Sequence, residues 1–378
     1  MRILFVHQSA DLYGSDKVLL DLVTRLADHG IEPVVLIPCE GPLLAALRDA
    51  RIEAHVCPVL KLSRASLRPL GFLKFLSEIP GVIGAIDRIV AGRKIDIVHS
   101  NTLAVLGGAL WALRRRIQHV WHLHETIHSP AAAARLFPWL VRLFADRVAC
   151  NSHSTREWLL QHQPCLASRS CVIWNGVAAP SPQMDAASHV PGGAVTTIGL
   201  VGRINRMKGQ TVLIEAAERL AAQGVDGFRV VFVGSPPPGQ EHFLDALRAR
   251  IDQSPISDRL TLQGFSSDIW RIWKTIDIAC VPSIEPESFG LVAVEAMATG
   301  LPVVASAHGG ILEIVRDGET GWLCEPGSVP ELSARLNDLL ASPARRAEFG
   351  AAGERVYRDC FSVPAMMQGF VKLYRDMV

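Results

Sequence analysis

The chain has 378 residues, of which 49% are hydrophobic and 20% are charged, a composition that excludes a disordered or fibrous protein and allows about two globular domains. The net charge of +1 is uneven, because residues 1–180 hold 20 basic and 14 acidic side chains and residues 181–378 hold 18 and 23. The basic excess is concentrated in residues 51–150, which favours an anionic partner, either a membrane surface or a phosphorylated acceptor. No nucleic-acid recognition motif accompanies it, so nucleic acid is not an expected partner.

The eight cysteines include no C-x-x-C pair and lie mostly within apolar runs, which indicates reduced thiols in a cytoplasmic protein. The N-terminal run MRILFVHQ is too short for a signal peptide and is typical of a first strand. The longest apolar stretch, Thr102–Leu113, has 12 residues, fewer than the roughly 20 that cross a bilayer. We therefore expect no transmembrane segment, and any association with the inner membrane face would be peripheral.

Apolar strands alternate with helical stretches along the first half of the chain. Arg2–His7 is a compact apolar run, and an amphipathic helix is predicted over residues 16–29. Gly14, in the loop SADLYGSD before that helix, marks either an ordinary turn or one that faces a phosphate. The alternation predicts parallel βαβ units. Further strands are predicted at Pro33–Ile37, Glu53–Val59, Ile95–His99, His119–His124 and Arg147–Asn151.

The run VWHLHETIHSP places His122, His124, Glu125 and His128 together at the end of a predicted strand. The carboxyl edge of a parallel sheet collects polar groups that face a ligand, and the spacing here gives no closed ligand set for a metal. These residues are therefore candidates for substrate contact, and no metal is predicted. Ser152, after the next strand, suits either a helix cap or a ligand contact.

Two segments of the first half carry basic residues in patterns that suit an anionic surface. Lys61–Phe75 mixes four cations with leucine and phenylalanine, and it predicts an amphipathic helix that either packs on its own domain or contacts a membrane. Arg114, Arg115 and Arg116 either solvate a helix end or face anionic lipid. Ala178–Gly193, rich in Pro, Ser, Ala and Gly, is predicted to be an interdomain linker.

The second half opens with a predicted strand, Thr196–Val201, and the loop GRINRMKGQ. Gly202 allows close backbone approach. Arg203 and Lys208 suit a diphosphate as a bidentate fork and a point charge, although either cation alone is commonly a solvated surface charge. Gly234 ends the next predicted strand and is expected to let the edge of a ligand approach the backbone.

Two glutamates, Glu287 and Glu295, stand eight positions apart in the stretch PSIEPESFGLVAVEAMATGLPVVASAHGG. A helix is predicted to begin near Phe289, which puts Glu287 at its start and Glu295 about two turns inside it. The free backbone N–H groups at that start, from Phe289, Gly290 and Leu291, form an anion site, and Gly290 leaves room for a ligand. The two carboxylates are then able to address one ligand from different heights.

The segment EPESFGLVAVEAMATGLPVVAS closely resembles the signature of retaining glycosyltransferase family 4, which has the GT-B fold. The resemblance implies that Glu287 holds hydroxyl groups of the donor sugar and that Glu295 holds the ribose. It also implies that the backbone from Ser288 through Phe289 and Gly290 to Leu291 holds the sugar and the phosphates. Further donor-site residues implied by the resemblance are Gly202, Arg203 and Lys208 for the diphosphate, and Gly264 and Phe265 for the base.

The resemblance extends into the first half of the chain. The family has a histidine at the end of one strand, beside the reacting sugar, and His124 fits this position best, with His122 as the alternative. Ser152 resembles the small hydroxyl residue that follows the next strand. Tyr13 and Gly14 stand where two glycines are common in the family, at the turn that faces the donor diphosphate and the acceptor.

We therefore predict an α/β protein of two Rossmann-like, doubly wound parallel-sheet domains facing a cleft, which is the GT-B arrangement. Residues 1–180 are predicted to bind the acceptor and residues 193–378 the nucleotide sugar, with the last helix returning to the first domain. The expected reaction is the retaining transfer of a hexose from a UDP- or GDP-linked donor to a glycan or a polyprenyl-diphosphate-linked acceptor. No metal and no cofactor beyond the donor are expected.

Two other functions fit the same donor site. A nucleotide-sugar epimerase of this fold would rearrange the donor without an acceptor, and a noncatalytic protein would only bind it. A nicotinamide-dependent oxidoreductase is disfavoured, because no G-x-G-x-x-G motif follows a predicted strand.

Overall fold

The computed structural model describes residues 1–62, 66, 69–180, 195–266 and 268–378 of the chain. These residues form two compact units, the first made of residues 1–176 and 363–378 and the second of residues 177–362. Most of the predicted linker and part of the basic segment Lys61–Phe75 lie outside the described residues. Within the described ranges, no helix has both the length and the apolarity to cross a membrane.

Strands and helices alternate along both units. The strands are β1 (Arg2–His7), β2 (Glu32–Ile37), β3 (Glu53–Val56), β4 (Ile97–Asn101), β5 (Gln118–Leu123), β6 (Arg147–Cys150) and β7 (Ser170–Val172) in the first unit, and β8 (Thr196–Val201), β9 (Phe228–Val233), β10 (Leu260–Gln263), β11 (Ile278–Val281), β12 (Val303–Ser306) and β13 (Gly321–Cys324) in the second. The helices are α1 (Gly14–Val23), α2 (Pro42–Asp49), α3 (Pro69–Val90), α4 (Gly107–Arg115), α5 (Ala131–Phe144), α6 (His153–His162), α7 (Gln210–Ala222), α8 (His242–Asp252), α9 (Ile269–Trp273), α10 (Leu291–Ala298), α11 (Ile311–Ile314), α12 (Val329–Ala341), α13 (Pro343–Val356) and α14 (Val363–Arg375).

The strands of the first unit form one parallel sheet in the order β3-β2-β1-β4-β5-β6-β7. The central strand β1 is fully buried from Ile3 to Val6, because helices cover both faces of such a sheet. The strand order reverses between β1 and β4, and right-handed crossovers then place α1 and α2 on one face and α3 to α6 on the other. The last helix, α14, packs beside α1, and the hydroxyl of its Tyr374 lies 2.8 Å from Nδ1 of His99.

The second unit has a parallel sheet in the order β10-β9-β8-β11-β12-β13. Its strand order reverses between β8 and β11. In sheets of this kind, ligands bind beyond the carboxyl ends of the strands at the reversal point. Both units are thus doubly wound parallel sheets covered by helices, and the predicted α/β fold class is confirmed.

Some predicted element boundaries differ from the observed ones. The helix predicted over residues 16–29 ends at Val23 as α1, and a short 3-10 helix, Ala27–His29, follows. The helix predicted to begin near Phe289 begins at Leu291, because Gly290 has a φ of 120°, outside the helical region. Glu295 therefore lies about one turn inside α10 and not two.

Candidate active site

The loop after β8 is fixed by its own hydrogen bonds. Asn205 precedes a short 3-10 helix, Arg206–Lys208, and its Oδ1 accepts a hydrogen bond from the N–H of Lys208 (3.2 Å). Nε2 of Gln210 donates to the carbonyl oxygen of Arg203 (3.0 Å). The loop therefore holds the backbone of Lys208 in place, while the side chain of Arg203 is exposed.

Lys208 and Glu287 form an ion pair at the carboxyl edge of the second sheet. Nζ of Lys208 lies 2.9 Å from Oε1 of Glu287, and the two side chains are only 21% and 14% exposed. Oγ of Ser283 donates to the same Oε1, and the N–H of Gly310 donates to the carbonyl oxygen of Glu287 (2.8 Å). Groups from separate loops therefore converge on one glutamate.

The surroundings keep Glu287 ionised. Burial raises the pKa of this carboxyl, but the charge of Lys208, the hydrogen bonds from Ser283 and Lys208 and the nearby His308 outweigh burial, so the pKa lies below its usual value. A carboxylate accepts hydrogen bonds through both oxygens, and within the described chain both side-chain partners of Glu287 use Oε1. The other oxygen, Oε2, suits the hydroxyl groups of a ligand.

Ser283 and His308 belong to this cluster and were not identified from the sequence. Nε2 of His308 donates to the carbonyl oxygen of Ser283 at 2.8 Å, and this bond fixes the loop that carries the serine. Ser283 follows β11 and His308 follows β12. Their position just beyond the carboxyl ends of two strands was the signal available for finding them.

Two glycines that were predicted to leave room for a ligand are required by the packing of the protein itself. Gly290 and Gly234 have φ values of 120° and 151°. A Cβ at Gly290 would overlap the side chain of Ile311, and a Cβ at Gly234 would overlap the carbonyl oxygen of Gly202. Internal packing therefore accounts for glycine at both positions, and the ligand is not needed to explain it.

The remaining predicted donor-site residues lie along the same unit. Glu295 on α10 accepts a long hydrogen bond from Nε1 of Trp273 (3.4 Å). Phe289 is buried with its ring against that of Phe361, so only its backbone is suited to a ligand, and Leu291 is the first residue of α10. Three further residues retain accessible surface: Ser288, Gly264 and Phe265.

His124, in the first unit, follows β5 and belongs to a group of buried histidines. Its Nε2 lies 2.9 Å from Oδ1 of Asn101, and its ring centroid lies 3.9 Å from that of His122. Burial, with repulsion from neighbouring histidines, holds the pKa of both rings well below the usual value, so both are neutral at pH 7. His124 is 7% exposed and His122 is not exposed, which makes His124 the better candidate for a ligand contact.

The other first-unit predictions fall at the starts of helices. Gly14 is the first residue of α1. Ser152 precedes α6 and its Oγ accepts a hydrogen bond from the N–H of Thr155 (2.9 Å), so Ser152 is a helix cap. Among the residues that the structure describes, no group of three or more His, Cys, Asp or Glu side chains is arranged to hold a metal ion.

Comparisons with known proteins agree with this architecture. The family model for glycosyl transferases group 1 matches residues 187–356, and that for Glycosyltransferase Family 4 matches residues 13–179. The chain belongs to glycosyltransferase family 4. The structures of Anabaena Alr3699/HepE with UDP and glucose and with UDP-glucose each have a TM-score of 0.82 and 25% identity to this family member, covering 99% and 100% of both chains. The predicted GT-B fold class is confirmed.

A D-inositol 3-phosphate glycosyltransferase from Mycobacterium sp. (strain JLS) is 36% identical to this family 4 chain over 266 residues. The match takes in 65% of the chain and 59% of the relative. The similarity to this curated relative therefore covers only part of each protein.

Proposed function

We propose that the protein is a retaining hexosyltransferase that moves a sugar from a nucleotide diphosphate sugar to a glycan or a polyprenyl-diphosphate-linked acceptor in bacterial surface polysaccharide synthesis. The observation that carries this proposal is the buried pair of Lys208 and Glu287 at the carboxyl edge of the second sheet. The pair combines a cation for the diphosphate with an ionised carboxylate for sugar hydroxyls, 2.9 Å apart.

In this reaction the bond between the anomeric carbon and the diphosphate oxygen breaks, and a bond to an acceptor oxygen forms on the same face of the sugar. The acceptor hydroxyl gives up its proton to the leaving diphosphate. Negative charge develops on the leaving diphosphate, and cations and amide dipoles that are already oriented stabilise it most. We assign this stabilisation to Lys208, Arg203 and the first N–H groups of α10. Lys208 has three N–H donors and Glu287 uses one, so two are available to phosphate oxygens without breaking the ion pair.

The Anabaena relative was solved with UDP-glucose, which supports a UDP-hexose as the first donor to test. The test is a calorimetric binding screen of UDP- and GDP-sugars, followed by NMR analysis of products with and without acceptors. An α-linked product from an α-linked donor supports retention. Rearranged sugar nucleotide without an acceptor would indicate an epimerase, and binding without turnover on every acceptor would indicate a sensor.

We expect turnover to survive an excess of EDTA. Lys208, Arg203 and the start of α10 supply positive charge for the diphosphate, and the sequence contains no Asp-x-Asp motif for a divalent cation. The rate in EDTA should remain within about twofold of the rate with Mg²⁺. Loss of turnover on chelation, restored by Mg²⁺ or Mn²⁺, would show this expectation to be wrong.

The outer side of helices α3 to α5 supports docking on an anionic membrane, where a lipid-linked acceptor resides. Leu70 and Leu73 on α3 are 83% and 63% exposed, and Trp139 on α5 is 49% exposed. These helices cover the same face of the first sheet, so their exposed side chains share one side of the unit. Apolar side chains enter the membrane interface, and each nearby basic residue adds about 1 kcal/mol. Three arginines on α4 and α5 are exposed as well: Arg114, Arg135 and Arg142.

Arg115 belongs to the basic run but has an intramolecular partner. Its guanidinium lies 2.6 Å from Asp87, which also accepts a hydrogen bond from Nε1 of Trp111 (2.8 Å). Replacing Arg115 would therefore disturb a structural contact, and the membrane test leaves this residue unchanged.

Replacing Arg114, Arg135 and Arg142 together by Gln is expected to lower partition onto anionic vesicles roughly 100-fold, since about 1 kcal/mol is lost per residue. The measurement is co-sedimentation with vesicles of phosphatidylglycerol and phosphatidylcholine across a salt series. The control replaces exposed Arg248, Arg271 and Arg316 of the second unit by Gln, which is the same change in charge.

Equal recovery in the supernatant with neutral and anionic vesicles would contradict membrane docking. If the enzyme also transfers sugar to a soluble anionic acceptor such as D-inositol 3-phosphate, the two results together would indicate a small soluble acceptor and not a lipid-linked one. The name of the mycobacterial relative is the reason for including this compound.

A further inference from the structure

A continuous chain of hydrogen bonds joins Asp16 to His124 through His7 and Asn101. Oδ1 of Asp16 lies 2.5 Å from Nε2 of His7, and Nδ1 of His7 lies 2.9 Å from Nδ2 of Asn101. Oδ1 of Asn101 lies 2.9 Å from Nε2 of His124. His7 ends β1 and Asn101 ends β4, the two strands at the reversal of the first sheet. These four hydrogen-bonded residues therefore lie where folds of this kind bind ligands.

The ionised carboxylate of Asp16 sets the direction of each bond. Burial raises the pKa of Asp16, but the hydrogen bonds from His7, Ser9 and the N–H of Tyr13 together lower it more, and the net pKa is below its usual value. Nε2 of His7 is therefore the donor, and Nδ1 of His7 accepts from the amide nitrogen of Asn101. The amide oxygen of Asn101 then faces His124 and accepts from its Nε2–H.

We infer that Asp16, acting through His7 and Asn101, holds His124 as the tautomer with its proton on Nε2 and its lone pair on Nδ1. This inference rests on the proposed function, because the substrates of a glycosyltransferase carry hydroxyl groups that such a lone pair is able to bind. The lone pair on Nδ1 accepts a hydrogen bond from a sugar hydroxyl. Asp16, His7 and Asn101 are positioning residues that act on the substrate through His124.

The burial of the four side chains agrees with three of them being positioning residues and with His124 being the one that contacts the substrate. His7 and Asn101 have no exposed surface and Asp16 has 2%, whereas His124 keeps 7%. A buried polar side chain that lost its partner would carry an unsatisfied group. Nδ1 of His7 lies nearer to the amide nitrogen of Asn101 (2.9 Å) than to the carbonyl oxygen of Asn101 (3.3 Å), which favours Nδ1 as the hydrogen-bond acceptor.

Asp16→Asn is expected to reverse that arrangement without changing the size of a side chain. The N–H of Tyr13 donates to Oδ2 of Asp16 (2.9 Å), so in the variant the amide oxygen stays with Tyr13 and the amide nitrogen faces Nε2 of His7. His7 then carries its proton on Nδ1, and Asn101 turns its oxygen toward His7 and its nitrogen toward His124. The proton of His124 moves to Nδ1, and this nitrogen is then no longer able to accept a hydrogen bond from a sugar hydroxyl.

Nitrogen-15 NMR of protein labelled at histidine reads the tautomer directly, without any ligand present. We expect His124 to carry its proton on Nε2 in the wild type and on Nδ1 in Asp16→Asn, with a His124→Asn sample to assign its signals. In kinetic assays Asp16→Asn should lower kcat roughly 10- to 100-fold. The donor KM should change by less than about twofold, because Lys208 and Arg203 still bind the diphosphate.

A second variant and a control separate positioning from folding. Asn101→Asp keeps an oxygen facing His124 and should retain the Nε2–H tautomer and most of kcat, whereas Asn101→Leu should lose both. His119→Gln is the control, because His119 is a buried histidine of β5 that contacts Oγ of Ser100 (2.9 Å). It should lower stability and leave kcat unchanged.

An Nδ1–H tautomer of His124 in the wild type would overturn the inference, and so would an unchanged tautomer and kcat in Asp16→Asn. If Asp16→Asn fails to fold, the wild-type tautomer and the two Asn101 variants decide the question. Failure of the protein to bind any sugar nucleotide would overturn the proposed function and would leave the NMR result standing.

Discussion

Replacing Lys208 by Met is expected to lower kcat/KM for the donor roughly 10- to 150-fold, the effect of losing a charge-assisted contact of about 1.5 to 3 kcal/mol. Arg203→Met is expected to lower kcat/KM by a factor in the same range. Lys208 should lie near the upper limit, because its removal also leaves the carboxylate of Glu287, only 14% exposed, without its cation. Steady-state kinetics at saturating acceptor is the measurement.

Arg206→Met provides a matched control for these two variants. Arg206 lies in the same short 3-10 helix as Lys208, but it is exposed and paired with Glu285 at 3.3 Å. Its loss should change kcat/KM by less than about twofold. An unchanged kcat/KM in both Lys208→Met and Arg203→Met would rule out this loop as the diphosphate site.

Glu287→Gln tests the same pair from the other side. The amide keeps the shape of the side chain but carries no charge, so kcat should fall. The stability lost in Lys208→Met should be largely recovered when Glu287→Gln is added, because no buried carboxylate is then left unpaired. Thermal unfolding of the two single variants and the double variant measures this coupling, and strictly additive losses would show that the pair is not coupled.

The strands could be predicted from the sequence because their signal is local. The observed bounds of Arg2–His7 and Thr196–Val201 are the predicted ones, since each is an apolar run with polar residues or glycine beyond its end. Lys208 and Glu287 could be selected through the family resemblance. Their direct contact, across 79 positions, depends on the neighbouring ends of β8 and β11.

The parts that could not be predicted depend on strand order or on internal packing. His7 and Asn101 are 94 positions apart, and they meet because β1 and β4 pair at the reversal of the sheet, which no residue spacing encodes. Gly290 was predicted to leave room for a ligand because it has no side chain, but the side chain of Ile311 occupies that space. A glycine in a sequence indicates close approach without saying whether the neighbour is a ligand or the protein.

Mild acid is expected to destabilise the first unit much more than the second. Burial disfavours the charged form of the imidazole and lowers the pKa of four histidines of the first unit: His99, His119, His122 and His124. His119 has a pKa of about 4, whereas an unfolded histidine titrates near 6.5. Between these values the unfolded chain binds more protons than the folded one, so stability falls as the pH drops below about 6.5.

The expected effect is large because several rings contribute. Each buried ring lowers the free energy of unfolding by about 1.4 kcal/mol per pH unit across its window. Lowering the pH from about 7.5 to about 5.5 should therefore reduce the Tm of the first unit by roughly 10 °C or more. In the second unit Glu287 has a lowered pKa, so its contribution is complete above about 4.5 and is lost only in stronger acid.

His119→Gln tests whether the buried histidines cause this acid lability. The variant removes one of the four buried imidazole rings that contribute to the pH dependence. The dependence of stability on pH below about 6.5 should therefore become shallower by about 1.4 kcal/mol per pH unit. The stability of the variant at neutral pH should also fall, because the contacts that the imidazole of His119 makes with Ser100 and the carbonyl of Phe144 are lost. Calorimetry, with limited proteolysis and mass spectrometry to identify the unit that unfolds, measures both effects. An equal loss of stability in the two units, or an unchanged slope in His119→Gln, would mean that protonation of these rings does not control unfolding in acid.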